Sequence, residues 1–383
     1  MITEVHVKNF RGIGDETVFL NRLSVLVGPN GAGKSSFVDA IRFVRDAVSL
    51  GPDDAVLRRH GIAALRRWSP RRPYDLEIVL KFSLSGLHGC YGFSLASVGE
   101  GNFRIKHELC GIGRTAESID TRFERQDDRL VDLPQKQERH FRNRELDPTT
   151  LVLPTAALLS MECAKLRRFF REMEFFTIFP NTLREPQKPF SSLTSLGDHG
   201  ENFATVLRAL LKRGTYSDEL TSALGRVVPG IKGIRVSGVG GYLVTELEHA
   251  FGEGKSAWFD LSQESDGTLR LLGLLVALYY SRSTGHLHRF LALEEPELTL
   301  HPGALGVISD ELLQASKRSQ LLVTTQSPDL ISRFDASHLR VVERVDGVTH
   351  IGPIDESQRE AVEAKLFTAG DLLRIEGLRR EPL

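Results

Sequence analysis

Residues 23–36, LSVLVGPNGAGKSS, decide how this chain is to be read. Leu23 to Val27 is a short apolar run of the kind that fills a strand buried on both faces. It runs into a glycine-rich turn. Beyond the turn Phe37, Ala40, Ile41, Val44 and Val48 recur at spacings of three and four, the period of one buried helix face. The turn itself fits G-x-x-x-x-G-K-[ST] with Gly28, Gly33, Lys34 and Ser35. Glycines let successive backbone N–H groups wrap a phosphate at the positive end of a helix. In that pattern Asn30, Gly31, Gly33 and Ser36 belong to the cradle, Lys34 offsets β- and γ-phosphate charge, and the Ser35 hydroxyl is a ligand for Mg²⁺. A plain glycine turn is the alternative, and the flanking strand and helix argue against it.

Composition sets the frame around this motif. At about 150 residues per domain, 383 residues make two or three lobes with a sizeable core. An apolar fraction of 41% and a charged fraction of 26% exclude general disorder. Forty-nine Lys plus Arg against 50 Asp plus Glu leave a net charge of −1, so any grip on nucleic acid must come from a local patch. Cys90, Cys110 and Cys163 are widely spaced and form no C-x-x-C pair, which signals neither a disulfide framework nor a zinc site and fits a reducing cytosol. The start, MITEVHVKNF, lacks the apolar core of a signal peptide, and the longest apolar run, Leu271 to Tyr280, is too short to cross a bilayer. The expectation is a cytoplasmic protein with no membrane segment.

Outward from the glycine loop, Val5 and Val7 alternate as in a strand. From Tyr74 to Cys110, segments such as LEIVLKF and YGFSLAS predict antiparallel strands. Residues 121–149 mix both signs of charge densely and predict solvated helix or loop, with a helical insertion as the alternative. Residues 155–225 are mostly helical in pattern, broken by NTLREPQKPFSS, and a glycine-rich hairpin follows at Val236 to Leu247. From Leu261 onward come helix, buried strand (FLALEEPE), helix and buried strand (LLVTT), the alternation of an α/β core with parallel strands. The expected organisation is therefore a discontinuous P-loop core (1–50 and 261–383), a β-rich lobe with a charged insertion (51–150) and a mostly helical lobe with a hairpin (151–260). No internal repeat and no long heptad tract is present.

FLALEEPE, residues 290–297, is an apolar strand ending in adjacent acids, which places Glu294 and Glu295 on opposite sides of its end. One such acid can serve a metal and the next can polarise water, here Glu294 and Glu295 respectively; exposed strand-end acids are the alternative. RRHGIAALRRWSPRR, residues 58–72, gathers Arg58, Arg59, Arg66, Arg67, Arg71 and Arg72 with Trp68 and no acid. Arginines clamp phosphates and an indole stacks on bases, so this is the candidate duplex-DNA patch. The same run could instead pair with residues 121–149 or with a partner protein.

VKNFRG (Val7 to Gly12), GPNGAGKSS, LGDHGENFATVL (Leu196 to Leu207), LSQESDGTLRLL (Leu261 to Leu272), LEEPELTLHP and TTQSPDL (Thr324 to Leu330) follow in order. Together they resemble the ABC-type ATPases of the RecF and structural-maintenance-of-chromosomes (SMC) group, especially compact bacterial AAA-family ATPases with an OLD-like ATPase core but without a fused Toprim nuclease. The resemblance implies an α/β ABC/RecF-like ATPase core with an antiparallel β lobe and a helical lobe, and ATP with Mg²⁺ as ligands. It also implies an ATP-sandwich homodimer in which Ser265, Gly267 and the helix from Thr268 reach the γ-phosphate across the interface. An ordinary helix cap at Ser265 is the alternative. Arg11 lies in the region that abuts nucleotide in this group, with a surface charge as the other reading. His301, before Pro302, either stabilises a turn or contacts a partner subunit. The group's usual metal-site Asp is Glu294 here. Its switch His is Gln326, which can orient water but does not titrate near neutrality. The first Gln after the glycine loop is Gln126, in the charged stretch, so no Q-loop is placed. The implied activity is ATP hydrolysis, acting on DNA in repair or anti-phage defence, or gating a separate effector such as a nuclease or toxin.

Overall fold

The computed structural model describes residues 1–70, 74–84, 86–99, 101–115, 118, 121–132, 146–190, 195–214, 216–252, 254–283 and 289–381. Its main elements, in chain order, begin with strands β1 (Ile2–Phe10), β2 (Ile13–Phe19) and β3 (Leu23–Val27), helix α1 (Lys34–Leu50), and strands β4 (Leu76–Leu84), β5 (Leu87–Gly99), β6 (Asn102–Gly113), β7 (Thr121–Gln126) and β8 (Arg129–Asp132). Helix α2 (Met161–Arg171), β9 (Glu174–Phe176), α3 (Phe203–Arg213), α4 (Ser217–Gly225), β10 (Ile231–Val239), β11 (Tyr242–Phe251) and β12 (Lys255–Asp260) follow. The chain continues through α5 (Asp266–Ser283), β13 (Phe290–Glu294), α6 (Ala304–Ser316), β14 (Gln320–Thr325), β15 (Leu339–Val345) and β16 (Val348–Gly352). It packs as two units, residues 1–173 with 340–355 and 379–383, and residues 174–339 with 356–378.

In the first unit the strand order is β8-β7-β6-β5-β4-β1-β2-β16-β15-β3. The strands from β8 through β2 pair antiparallel. β3 is buried along its whole length, as its unbroken apolar run requires. Helix α1 buries Phe37, Ala40, Ile41, Val44 and Val48, the residues its period assigned inward. Phe43 of α1 lies 6.0 Å from Phe10 and 5.8 Å from Phe93, ring centre to ring centre, fixing the helix against the sheet.

The first part of the charged stretch is strand, not helix or loop. β7 pairs with β6, and Phe123 and Arg125 alternate inward while Glu124 between them is half-buried. Arg125 is fully buried and spends its guanidinium on the carbonyls of Asp127, Thr150 and Asp147, at 2.5, 2.6 and 2.8 Å. The rest of the insertion, residues 133–145, lies outside the described residues. Beneath this hairpin Glu108 is wholly buried and accepts from the N–H groups of Val152 (2.6 Å) and Leu153 (3.0 Å) and from the Tyr91 hydroxyl (3.0 Å). Burial nonetheless pushes its pKa up to about 7.

In the second unit β14, β13 and β9 run parallel in that order. β9 interrupts the stretch expected to be helical, because Glu174-Phe175-Phe176 is too short to show a period and is held by pairing with β13. The hairpin at 236–247 is present and longer, turning on Gly240 and Gly241, both with positive φ. β12 adds a third antiparallel strand. Helix α5 is buried from Thr268 to Ser281. Among the described residues no helix is long and apolar enough to cross a membrane.

Candidate nucleotide site

The glycine loop in the first unit has a shape that only glycine permits. A Cβ on Gly28 would lie 2.2 Å from the Val342 carbonyl oxygen of β15, and one on Gly33 would lie 2.3 Å from Thr349 Oγ1 of β16. Gly31 and Gly33 also have φ of 76° and 114°. Thr349 Oγ1 donates to the Ala32 carbonyl (2.8 Å), and Arg344 reaches the Gly31 carbonyl (3.4 Å). Helix α1 starts directly behind this loop with no side-chain cap and no acid in its first turn, so its first N–H groups and its dipole face an anion unopposed. Lys34 is 4% exposed, and its ammonium donates to the carbonyls of Gly28 (2.7 Å) and Pro29 (3.0 Å). Asn30, Gly31 and Ser35 are exposed and Ser36 half-buried, so the structure gathers every sequence-assigned loop residue at one helix start.

Arg11, in a left-handed turn (φ 50°), pairs with Asp39 of α1 at 2.7 Å. Arg59 also binds Asp39 (2.8 Å) and Asp46 (2.9 Å), donates to the Ala55 carbonyl (3.0 Å), and is 7% exposed. This corrects the six-arginine patch: Arg59 is a buried clamp on α1, because two carboxylates of that helix neutralise it, and it offers nothing to a phosphate. Among the described residues of the 121–149 stretch it has no ion-pair partner. Arg58 is exposed, Arg66 and Arg67 are half-buried, Trp68 is 79% exposed, and Arg71 and Arg72 lie outside the described residues.

In the second unit β13 ends at Glu294, which meets Thr177 Oγ1 at 3.4 Å. Strand alternation stops there, since Glu295 takes φ 45° and its N–H turns to the Thr324 carbonyl (2.9 Å). Gln326 follows β14, and its N–H donates to Glu297 Oε1 (3.2 Å). Ser265 Oγ accepts from the Thr268 N–H (3.1 Å), the geometry of a helix cap. A Cβ on Gly267 would come within 2.8 Å of the Thr299 carbonyl oxygen. His301 is exposed and its Nδ1 accepts from the Gly303 N–H (3.1 Å), a turn-stabilising contact.

Three residues here were missed from sequence. Glu297 was read only as the tail of its motif. Arg270 is the one charged residue in the buried stretch Thr268–Ser281 of α5, and that was its signal. It is buried and donates to the carbonyls of Ile178 (2.8 Å) and Glu295 (2.9 Å). Desolvation pulls its pKa below the ordinary arginine value, against the carboxylates of Glu297 and Glu295. His199, from LGDHGENF, binds the Thr177 carbonyl (3.0 Å) and stacks on Phe179.

Among the described residues no group of three or more His, Cys, Asp or Glu could hold a metal alone. Mg²⁺ takes one or two protein ligands and completes its shell with phosphates and water. The exposed Ser35 hydroxyl in the first turn of α1 is a donor of that kind.

A glycine cradle feeding an uncapped helix is the phosphate-loop arrangement of a P-loop fold, and the second unit carries a parallel strand ending in acids. Residues 114–332 match the family described as "AAA domain, putative AbiEii toxin, Type IV TA system", and residues 1–88 match the family described as "AAA ATPase domain". The first match spans more than half of the chain, and the protein belongs to that family. Among solved structures, an SMC head bound to the C-terminal winged-helix domain of ScpA superposes with a TM-score of 0.60 at 16% identity, covering 94% of this chain and 99% of that one. The SMC head of Pyrococcus furiosus with an extended coiled coil, bound to the C-terminal domain of ScpA, gives 0.54 at 13%, covering 95% and 99%. That of Pyrococcus yayanosii, with a coiled coil and joint, gives 0.53 at 13% with the same coverage. At such identities the likeness is one of fold. No protein of curated function matches the sequence.

Proposed function

We propose that this protein hydrolyses ATP with Mg²⁺ and dimerises on binding it. The observation that carries the reading is the glycine loop, packed so tightly on β15 and β16 that no side chain fits at Gly28 or Gly33, in front of an uncapped helix. Asn30, Gly31, Gly33 and Ser36 cradle the phosphates, and Lys34 exchanges its two carbonyl partners for β- and γ-phosphate oxygens. Ser35 and Glu294 would hold Mg²⁺, which would supply charge neutralisation to the phosphates. Gln326 orients a water that attacks the γ-phosphorus in line while Glu295 accepts its proton, and the bond from that phosphorus to the β–γ bridging oxygen breaks, releasing ADP and phosphate. Arg11, once released from Asp39, adds positive charge at the cradle. Ser265 and Gly267 meet the nucleotide of the second subunit, with the core formed by 1–50 and 261–383.

Two purposes fit a cytoplasmic ATPase of this kind. One is action on duplex DNA in repair or anti-phage defence through Arg58, Arg66, Arg67 and Trp68, with Arg71 and Arg72 as the sequence assigns them. The other is ATP-gated control of a separate effector, a nuclease or toxin. The burial of Arg59 and the toxin–antitoxin wording of the family description favour the second. The deciding assay is phosphate release with and without duplex DNA at low and moderate salt, with Glu295→Gln as the blank. DNA stimulation that salt abolishes favours the first purpose. Hydrolysis indifferent to DNA favours the second, and no hydrolysis above the blank overturns the ATPase reading.

A further inference from the structure

Glu297 lies three residues past the end of β13, in a turn closed by the Leu298 N–H on the Glu295 carbonyl (3.1 Å) and the Leu300 N–H on the Glu297 carbonyl (3.0 Å). Its Oε1 takes two donors at once, the Thr325 hydroxyl (2.5 Å) and the Gln326 N–H (3.2 Å). Thr325 Oγ1 in turn accepts from the Ser327 N–H (3.0 Å), and Ser327 Oγ accepts from the Leu330 N–H (3.3 Å). One carboxylate oxygen therefore anchors residues 325–327 through a chain of bonds that ends in the helical turn Pro328–Ile331. The neighbouring Thr324 makes the opposite kind of contact, its carbonyl and hydroxyl oxygens accepting from the Glu295 backbone N–H at 2.9 and 3.2 Å. The two acids of the loop are thus each tied to one threonine of TTQS. Arg270 also binds this loop, donating to the Glu295 carbonyl at 2.9 Å.

We propose that Glu297 is the positioning residue for Gln326. Through Oε1 it fixes the backbone from which the Gln326 side chain reaches the attacking water. The inference rests on the ATPase reading given above. The other carboxylate oxygen, Oε2, is buried with no hydrogen-bond partner among the described residues. An amide nitrogen can therefore replace Oε2 without breaking a bond, while the amide oxygen keeps both donors of Oε1. Glutamine is the conservative replacement here, and leucine removes the acceptor at similar bulk.

The test compares wild type, Glu297→Gln, Glu297→Leu, Gln326→Ala and the Glu297→Leu/Gln326→Ala double variant in steady-state ATP hydrolysis, with affinity for a fluorescent ATP analogue measured alongside. Glu297→Leu and Gln326→Ala each lower kcat by about 10²-fold with nucleotide affinity unchanged. The double variant is slower than either single by no more than about threefold, since both remove one function. Glu297→Gln restores kcat to within about threefold of wild type. Thr325→Val, which deletes one donor without changing shape, lowers kcat by about fivefold and serves if Glu297→Leu does not fold. Multiplicative losses in the double variant, a Glu297→Gln protein as slow as Glu297→Leu, or an unaffected Thr325→Val overturns the inference alone. A wild type that turns over no ATP overturns the ATPase reading as well.

Discussion

Arg59→Ala separates a fold-holding arginine from a ligand-binding one. The side chain makes four polar contacts, two to Asp39 Oδ1 at 2.8 and 2.9 Å, one to Asp46 Oδ2 at 2.9 Å and one to the Ala55 carbonyl at 3.0 Å. Its guanidinium carbon also lies 5.2 Å from the centre of the Phe43 ring. Removing one partner of a buried ion pair costs about 3–5 kcal/mol, because the charge left behind stays desolvated. Asp39 keeps Arg11 and Asp46 keeps Arg45, so the loss falls near the lower end, at about 3 kcal/mol. For a unit of this size each kcal/mol moves the melting temperature by roughly 2–4 °C, giving a drop of roughly 6–12 °C. Arg58→Ala, at an exposed neighbour, changes stability by less than about 0.5 kcal/mol. The assay is thermal unfolding followed by circular dichroism, with a duplex-DNA titration of each variant at low salt. An Arg59→Ala protein that melts with wild type yet loses DNA affinity would refute the reasoning and return Arg59 to the nucleic-acid surface.

Other expectations concern the sites directly. Lys34→Ala loses nucleotide affinity, measured by equilibrium binding of a fluorescent ATP analogue; retained affinity would remove the lysine from the phosphates. Glu295→Gln keeps ATP bound and accumulates dimer in sedimentation or light scattering, whereas normal turnover would sink the proton-acceptor role. Gly33→Ala abolishes binding, because its Cβ meets Thr349 and its φ is left-handed; binding at wild-type affinity would show the loop to be pliable. The buried Glu108, raised from 4.5 to about 7, gives a pH signature of defined sign. The folded form holds its proton where the unfolded chain releases it, so this contribution is full below pH 4.5 and is lost as pH rises through 7. Wild type should lose about 3 kcal/mol relative to Glu108→Gln across that window in urea titrations, and parallel pH profiles would contradict the raised value.

What the sequence disclosed, and what it hid, follows the physics of range. The glycine loop was legible because its constraint is local: a turn between a strand and a helix needs particular residues at particular spacings. The acids at the end of β13 were legible for the same reason. Three-residue β9 was not, since nothing in Glu174-Phe175-Phe176 announces that β13 will pair with it. Arg59 looked like its arginine neighbours until the fold placed Asp39 and Asp46 of α1 around it. Glu297 stood in a quoted motif, yet its partners Thr325 and Gln326 lie on another strand's end and no spacing links them. The inward alternation of Phe123 and Arg125 was masked because one of the two inward residues is itself charged.

The buttress behind the phosphate loop bears on how the protein is made. Ala32 and Thr349, joined by a hydrogen bond, are 317 residues apart in the chain, and Val342, which walls Gly28, is nearly as distant. A ribosome working at about 5–20 residues per second delivers that wall roughly 15–60 s after the loop itself. Throughout that interval the nascent chain carries its glycines without the surface that gives them their shape, so the loop takes its form only once residues 342–349 have been made.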